Sequence, residues 1–250
     1  AWTNKRNLGS TIENGAAYTS VTTVRAAGQK TRVPLNMAKA AIYGASGFIG
    51  RITTTYLESV CAQVTAIGRN EEKLRGFAKT TRISTDPRDG FDADIVILVT
   101  NSDKPIITLE NCLNYKPGTV FIDTATPANF DRRILKEHPE MDFRLVCCGP
   151  VKLPHKEGEQ IKSGVNWHFG YDEDGNPRVP ACVVETIMDA YDLEGAAEHA
   201  SRGAKVRLAD MKYYAELGDK LGFVPEPSEV SEAEIFVDTD ELDIVALLSA

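Results

Sequence analysis

Basic residues are the minority in this chain, and no apolar run is long enough to cross a bilayer. The 250 residues include 28 Lys and Arg against 36 Asp and Glu, a formal net charge of -8 at pH 7. A nucleic-acid-binding surface is usually basic, so this balance argues against nucleic-acid partners. A membrane span needs about 20 consecutive apolar residues, and the sequence contains no such stretch. The hydrophobic fraction of 42% is ordinary for a globular protein.

Metal-ligand spacing is also lacking. The five cysteines form no Cys-x-x-Cys pair, and the four histidines are scattered. We therefore expect no bound metal, and we expect reduced thiols in a cytoplasmic protein. The chain opens with Ala-Trp-Thr-Asn and no methionine. We expect it to be a processed product or one piece of a longer polypeptide.

Apolar strands alternating with helical patterns predict an α/β fold. The expected architecture is a doubly wound, Rossmann-like parallel sheet with added C-terminal helices. Strands are predicted at residues 40–43, 63–67, 95–100, 120–123 and 143–147. Helices are predicted at 15–27 (ended by Gly28), 48–58, 71–79, 106–113, 130–137, 181–198 and 208–221.

The same pattern predicts four parts of the chain. Residues 1–35 are an N-terminal segment with one helix, and residues 36–150 are a dinucleotide-binding domain. Residues 151–225 are a long loop followed by C-terminal helices, and residues 226–250 are an acidic tail. A loop as long as 150–180 inside a compact protein is usually functional.

A glycine-rich turn follows the first predicted strand with the spacing GxxGxxG. Gly44 permits the sharp turn, Gly47 allows a pyrophosphate to approach the backbone, and Gly50 lets the next helix pack on its strand. The positive end of that helix then faces the phosphates. The alternative is a tight strand–helix turn that binds no ligand. The predicted cofactor-binding residues of this turn are Gly44, Ser46, Gly47, Phe48, Ile49 and Gly50.

The end of the second strand predicts which dinucleotide binds. An acid there would accept from the ribose 2′-OH of NAD, whereas a basic residue favours the 2′-phosphate of NADP. Arg69 and Asn70 stand at this position, so NADPH is the predicted cofactor. The alternative is an incidental arginine at a solvated helix start. Asn101 and Ser102 follow the third strand and are predicted to approach the nicotinamide, unless they form a plain turn.

A nucleophilic cysteine is the best chemical lead. None of the eight tyrosines has a lysine four residues later, which disfavours short-chain dehydrogenases. Pro180 fits the first position of a helix, which puts Cys182 in the first turn, where the helix end would acidify a thiol. The alternative is a buried core cysteine. The pair Cys147–Cys148 is a rival nucleophile.

From roughly residue 15 to residue 225 the chain resembles the long-chain acyl-ACP reductases of cyanobacterial type, which form fatty aldehydes. Ordered segments carry the resemblance: residues 15–19, 43–50, 66–74, 121–129, 165–167, 181–185 and 217–223. The resemblance implies covalent catalysis, in which a cysteine takes the acyl group from a carrier thioester and NADPH reduces the enzyme thioester to an aldehyde.

That resemblance also implies site residues and a partner. The family's cysteine, in its Ala-Cys-x-x-Glu setting, corresponds to Cys182. Glu185, one turn later, would orient the thiol or accept its proton; the alternative is an ordinary exposed glutamate. His168 is a weak candidate proton donor. The family carries an N-terminal domain that this chain almost lacks, which implies that the domain lies upstream or comes from a partner chain.

Two other functions stay open at this point. A semialdehyde dehydrogenase-like enzyme would share the glycine turn and a catalytic cysteine, but the usual Asn-x-Gly-Cys context is absent. The third hypothesis is a non-catalytic nucleotide-binding module of a larger assembly.

Overall fold

The computed structural model describes residues 15–153, 178–200 and 206–230. The predicted N-terminal segment before residue 15, His168, the 165–167 motif and most of the acidic tail lie outside the described residues. The helices are α1 (Ala16–Lys30), α2 (Phe48–Leu57), α3 (Glu71–Leu74), α4 (Arg133–Glu137), α5 (Ala181–Tyr191), α6 (Leu193–His199) and α7 (Leu208–Leu221). The strands are β1 (Lys39–Tyr43), β2 (Gln63–Ile67), β3 (Arg82–Ser84), β4 (Ile95–Leu98), β5 (Val120–Asp123), β6 (Arg144–Cys147), β7 (Pro150–Lys152), β8 (Arg178–Pro180), β9 (Val224–Pro225) and β10 (Ser228–Glu229).

The main sheet has the strand order of a doubly wound fold. Its seven strands run β10-β6-β5-β4-β1-β2-β3. All neighbours are parallel except β10, which joins β6 antiparallel. The chain winds outward in one direction from β1 to β3 and in the other from β4 to β6, so the switch point lies between β1 and β4. The predicted Rossmann-like α/β fold is confirmed.

Alternate residues of the sheet feed two separate cores. Ile42, Ile97 and Ile122 pack on the face that α1, α2, α5 and α7 cover. Tyr43 and Phe121 face the other side, where α4 and irregular segments cover an aromatic cluster. Side chains alternate between the two faces of a strand, so near-continuous apolar strands require cover on both sides.

Helix α1 belongs to the core despite its position ahead of β1. Eleven of its 15 residues are buried, and it packs on α2, α5 and α7. Its buried Ser and Thr hydroxyls bond to carbonyls of the preceding turn; Thr19, for example, donates to the carbonyl of Gly15 at 2.7 Å. A helix rich in Thr and Ser can therefore be buried without leaving these groups unsatisfied.

A second, three-stranded antiparallel sheet brings the C-terminal helices to the end of β6. Its order is β8-β7-β9. The N–H of Ala181, the first residue of α5, donates to the carbonyl of Gly149 at 2.8 Å. Helix α5 therefore begins just beyond the carboxyl end of β6, at the edge where doubly wound sheets bind ligands.

Several predicted boundaries differ from the structure. Residues 106–113 form no α-helix, because Ile107 pairs with Phe130 in a parallel bridge, with the N–H groups of Ile106 and Ile107 donating to the carbonyl of Asn129. The helix predicted at 71–79 ends at Leu74, since Gly76 has φ 107°. Gly28 does not end α1, which continues to Lys30.

Three other predicted elements differ from the structure in their bounds. The helix predicted at 130–137 begins only at Arg133, and the strand predicted at 95–100 ends at Leu98. The helix predicted at 181–198 is two helices, because Asp192 ends α5 and its carboxylate accepts the N–H of Gly195 to start α6. Among the described residues, no helix has the length and apolar character to span a membrane.

Candidate functional site

We call residues 44–50, the glycine-rich turn after β1, the nucleotide turn. The fold itself requires two of its glycines. Gly44 has φ 88°, and a Cβ there would lie 2.5 Å from the carbonyl oxygen of Val99. A Cβ on Gly50 would lie 2.2 Å from the carbonyl oxygen of Gly44 and 2.8 Å from the Cα of Ala45. Neither contact can be relieved without moving backbone, so these positions would be glycine with or without a ligand.

Gly47 is less tightly enclosed than Gly44 and Gly50. Its φ is -75°, and an added Cβ would approach only the carbonyl oxygen of Gly44, at 3.3 Å. It is also the N-cap of α2, and no side chain within the described structure caps that helix. The N–H groups of the first turn are therefore available to an anion, and the open position at Gly47 fits the approach of a pyrophosphate.

The other predicted residues of the turn lie around this opening. Phe48 is exposed, although Ile49 and Gly50 are mostly covered. Ser46 turns toward the end of β2, since its Oγ would lie 3.5 Å from a Cβ on Gly68. The turn therefore contacts the strand end where an adenine ribose is expected.

Arg69 is the basic group best placed for a phosphate. It is the second residue after β2, is exposed, and has no ion pair within the described ranges. Asn70 has a structural role, because its Oδ1 accepts the N–H of Lys73 at 3.2 Å and caps α3. Arg75 pairs with Glu71 at 3.6 Å.

Of the pair after β4, Ser102 forms a local turn. Its hydroxyl donates to the carbonyl of Lys104 at 2.7 Å, and its N–H donates to Oγ1 of Thr100 at 3.2 Å. Asn101 is exposed beside it. The plain-turn alternative therefore describes the Ser102 side chain, whereas Asn101 faces solvent at the carboxyl edge of the sheet.

Sequence reasoning missed two residues at this edge, Thr100 and Asn129. The Thr100 hydroxyl donates to Oδ1 of Asn129 at 2.6 Å. The N–H of Asn129 donates to the carboxylate of Asp123 at 2.7 Å. Asp123 ends β5 and is buried, and this burial raises the pKa of its carboxyl group. The only sequence signal was that Asn129 closes the 121–129 segment, one of those that carry the resemblance.

Cys182 is the second residue of α5 and is the exposed one of the five cysteines. The first turn is confirmed as its location, although Pro180 is the N-cap and not the first helical residue. The expected acidification is wrong: partial burial raises the pKa of the Cys182 thiol, and the opposing effect of the N–H groups of Cys182 and Val183 is smaller.

The start of α1 rests directly on Cys182. Gly15, the N-cap of α1 with φ 60°, is so close that a Cβ there would lie 2.3 Å from the Cα of Cys182. Farther along α1, the Ser20 hydroxyl lies 3.4 Å from the carbonyl oxygen of Ile49 in the nucleotide turn. Five residues of helix span about 7.5 Å, so one end of α1 links Cys182 to the glycine turn.

Glu185 is not the ordinary exposed glutamate of the alternative interpretation. It is fully buried, and its Oε2 accepts the N–H of Tyr18 at 2.8 Å. Tyr18 is in the first turn of α1, where a carboxylate is favoured by the free N–H groups and the helix dipole. Glu185 therefore caps α1 and ties it to α5, next to Cys182.

The remaining cysteines differ in accessibility. Cys148 and Cys112 are buried, and burial raises the pKa of both thiols. Burial raises the pKa of Cys61 to about 11. Cys147, at the end of β6, has its Sγ 3.6 Å from a guanidinium nitrogen of Arg132. Cys147 is partly exposed, so it stays a rival nucleophile.

Strand order and glycine turn define the fold class of this unit, a Rossmann-like, doubly wound α/β fold. A family model described as shikimate / quinate 5-dehydrogenase matches residues 26–142. No curated protein matches the chain.

Solved structures with a similar fold include the dipicolinate synthase A chain from Bacillus subtilis, at 18% identity over 54% of this chain and 46% of that one, with a TM-score of 0.44. The pyruvate reductase of Chlamydomonas reinhardtii is similar at 16% identity over 54% of this chain and 46% of that one, with a TM-score of 0.44. A D-2-hydroxyisocaproate dehydrogenase is similar at 20% identity over 51% and 42%, with a TM-score of 0.40. The chain thus spans less than half the length of these structures.

Proposed function

We propose that this protein reduces an acyl thioester to an aldehyde with NADPH, through an acyl-enzyme on Cys182. The observation that carries the proposal is the position of Cys182. It is an exposed thiol in the first turn of a helix, at the carboxyl edge of a dinucleotide-binding sheet. The start of α1 contacts Cys182 through Gly15 and the glycine turn through Ser20. The resemblance to acyl-ACP reductases supports the same assignment.

The cofactor would be held by residues that fit it. The open position at Gly47 and the uncapped start of α2 would receive the pyrophosphate, and Arg69 would pair with the 2′-phosphate. Asn101 would lie near the nicotinamide. When bound, NADPH supplies a hydride to the acyl carbonyl carbon. We propose that residues 36–150 bind this cofactor and that residues 151–225 supply the nucleophile.

Cys182 is the proposed nucleophile. Its thiolate attacks the thioester carbonyl, the new C–S bond forms, and the carrier thiol leaves with a proton. Cys182 would then act as the leaving group: once the acyl carbon is reduced, its C–S bond to Cys182 would break, the aldehyde would be released and the Cys182 thiolate would be restored. One thioester, one NADPH and one proton thus become one aldehyde, one NADP⁺ and one free thiol. Because burial raises the pKa of the Cys182 thiol, substrate or a nearby base must help remove its proton.

Glu185 is proposed as the residue that positions Cys182, through its cap on α1. The thiol released from the substrate is proposed to belong to coenzyme A or an acyl carrier protein. An N-terminal domain, upstream or on a partner chain, is proposed to help shape the acyl pocket.

Intact-mass measurement after incubation with acyl-CoA and acyl carrier protein thioesters of several chain lengths tests the proposal. We expect a mass gain equal to the acyl group without NADPH, and its loss as aldehyde when NADPH is added. Cys182→Ala should bind NADPH normally and form neither adduct nor product. Cys147→Ser is the matched control and should still be acylated.

The contrary results are distinct. An adduct that persists in Cys182→Ala and disappears in Cys147→Ser would move the nucleophile to β6. Aldehyde oxidation that depends on inorganic phosphate would favour the semialdehyde dehydrogenase-like hypothesis. A protein that binds NADPH but takes no acyl group from any thioester would be a non-catalytic nucleotide-binding module.

A further inference from the structure

The guanidinium of Arg132 lies at the carboxyl end of β6. Arg132 is the N-cap of α4 and is half-buried. Its Nη2 donates to Sγ of Cys147, the last residue of β6, at 3.6 Å. Sulfur is a weak acceptor, whereas a guanidinium has five N–H donors. Most of the hydrogen-bonding capacity of Arg132 is therefore unused within the described residues.

The other half-buried arginines of the described chain have stronger partners. Arg25, Arg144 and Arg178 each pair with a carboxylate, at 2.7, 2.6 and 2.8 Å. Arg51 donates to a backbone carbonyl and lies over an aromatic ring. Removing a charged group from water without such a partner is costly, so the incomplete bonding of Arg132 calls for an explanation.

Two carboxylates close to Arg132 bond to other groups. Asp123 is opposite Cys147 in the register of β5 and β6, and its oxygens accept three backbone N–H groups at 2.7–3.0 Å. Burial raises the pKa of the Asp123 carboxyl group, and the charge of Arg132 opposes this rise without forming an ion pair. Asp131 pairs with Arg133, whose Nη2 donates to it at 2.6 Å. These carboxylates therefore leave the guanidinium fork available to another anion.

Arg132 and the proposed nucleophile share the carboxyl end of β6. The carbonyl of Gly149, two residues after Cys147, accepts the N–H of Ala181 at 2.8 Å, and Cys182 follows. The nucleotide turn follows β1, three strands away in the order β6-β5-β4-β1, which is about 14 Å at the usual strand spacing. An anion on Arg132 is therefore not the pyrophosphate expected at that turn, and it belongs to the substrate side of the crevice.

We propose that the Arg132 guanidinium binds a carboxylate or phosphate group of the substrate. Its planar fork matches two oxygens of either group. On a thioester, that group is a carboxylate of the acyl chain or the phosphate of phosphopantetheine, the arm that coenzyme A and acyl carrier proteins share. The inference deepens the proposed function and rests on it, because it takes the substrate to be a thioester that acylates Cys182.

The test compares thioesters that differ by one anionic group. Monothioesters of straight-chain dicarboxylic acids are compared with monocarboxylic thioesters of the same carbon count, all on pantetheine and over a series of chain lengths. A second comparison sets one monocarboxylic acyl group on pantetheine against the same group on phosphopantetheine.

Three variants accompany these substrates. Arg132→Met removes the charge at a similar side-chain length. Arg132→Lys retains the charge without the fork, and it serves if the methionine variant does not fold. Arg133→Met is the matched control, because Arg133 is the adjacent exposed arginine and already pairs with Asp131.

Wild-type Cys182 should be acylated about tenfold faster by the anionic member of one comparison, the scale of a hydrogen bond to a charged group. The comparison that shows the preference identifies the group as the carboxylate or the phosphate. Arg132→Met should lose this preference and retain the wild-type rate with the neutral thioester. Arg132→Lys should keep part of the preference, and Arg133→Met should keep all of it.

Cys147 provides a second readout that needs no thioester. Iodoacetate carries a carboxylate, and iodoacetamide is its neutral counterpart. The ratio of the iodoacetate rate to the iodoacetamide rate at Cys147 should fall about tenfold in Arg132→Met, by the same measure. The ratio at exposed Cys182 in the same molecule should change little. Peptide mass mapping measures both sites.

Three results would overturn the inference. No preference in either comparison would mean that no charge of the substrate reaches Arg132. Equal losses with neutral and anionic thioesters in Arg132→Met, or an equal loss of preference in Arg133→Met, would make Arg132 structural or its charge unspecific. An unchanged rate ratio at Cys147 would mean that the guanidinium offers no donors to an oxyanion. Failure of the proposed function looks different, because no thioester would then acylate the wild type while the rate ratio at Cys147 still depends on Arg132.

Discussion

The nucleotide turn is built from residues 44–50, all within seven positions of one another, whereas the corner around Cys182 joins residues up to 167 positions apart. In the turn, Gly47 and Gly50 are constrained by the backbone of Gly44 and Ala45, a few residues away, and only Gly44 meets a distant segment, the backbone of Val99 after β4. In the Cys182 corner, α5 meets the start of α1 through Gly15 and through the carboxylate of Glu185. The comparison shows that a site marked by one sequence motif can depend as much on contacts between distant residues, which no sequence motif reveals.

The largest expected effect on stability distinguishes a glycine of the turn that packing requires from one that a ligand requires. Gly50→Ala forces a Cβ to within 2.2 Å of the Gly44 carbonyl oxygen, and it should lower the free energy of unfolding by roughly 3 kcal/mol. Gly47→Ala meets only one contact, at 3.3 Å, and replaces the N-cap glycine of α2, so it should cost no more than about 1 kcal/mol of stability while weakening NADPH. Urea unfolding and cofactor titration of both variants measure this. Equal destabilisation would show that Gly47 is also a packing glycine.

The α1 region offers a similar contrast between Gly15, which lies against Cys182, and Gly28, farther along the helix. Gly15→Ala places a side chain at φ 60° and 2.3 Å from the Cα of Cys182, and it should cost about 2 kcal/mol of stability. Gly28→Ala, in the same helix α1, meets only Leu35 at 3.7 Å and should stabilise the protein by about 0.5–1 kcal/mol. Thermal unfolding of both variants, with the iodoacetamide reactivity of Cys182, is the measurement. A harmless Gly15→Ala would separate α1 from the Cys182 corner.

The preference for NADPH over NADH tests the proposed cofactor-binding residues without involving Cys182. Arg69→Ala should weaken NADPH by about 2 kcal/mol, the scale of a hydrogen bond to a charged group, with little change for NADH. Arg133→Ala is a suitable control, because that exposed arginine already pairs with Asp131 at 2.6 Å. Fluorescence titration with both cofactors gives the comparison. The same loss for NADPH and NADH would remove Arg69 from the 2′-phosphate role.

A substitution at Glu185 distinguishes a helix-capping role of this residue from a proton-transfer role. Glu185→Gln retains an oxygen that can accept the Tyr18 N–H but loses the charge, so we expect about 1 kcal/mol of lost stability. Acylation of Cys182 should continue, because the cap still holds α1 on α5. Mass spectrometry of the acyl adduct and urea unfolding test both statements. A stable Glu185→Gln variant with no acylation would make Glu185 the proton acceptor.

The smallest expected effect concerns the pH dependence of Cys182. Burial raises the pKa of this thiol, so less thiolate is present near neutral pH than for an ordinary cysteine. The rate of alkylation by iodoacetamide should rise with pH through a midpoint above the usual thiol range. Cys182 should still react before buried Cys148 and Cys112, because it is exposed. A midpoint below the usual range would restore the acidified thiol that the helix position alone predicts.

Much of the fold was readable from the chain, whereas much of the site was not. The strands at β2 and β5 and the helix α7 have the predicted bounds, since buried strands and amphipathic helices have their own periodicities. The predicted helix at 106–113 is wrong because Ile107 pairs with Phe130 and the carbonyl of Asn129, both more than twenty residues away, accepts the N–H groups of Ile106 and Ile107. Local periodicity carries no information about such a partner.

By itself the sequence determined the strand and helix pattern, the glycine turn and the placement of Cys182 in a first helical turn. These depend on residues that are neighbours along the chain, so their spacing is visible in one dimension. Only the tertiary structure decided that Glu185 is a buried cap, that Gly15 rests on Cys182, and that Asn129 stands beside Thr100. These contacts join distant parts of the chain, and packing and desolvation there follow from the assembled core.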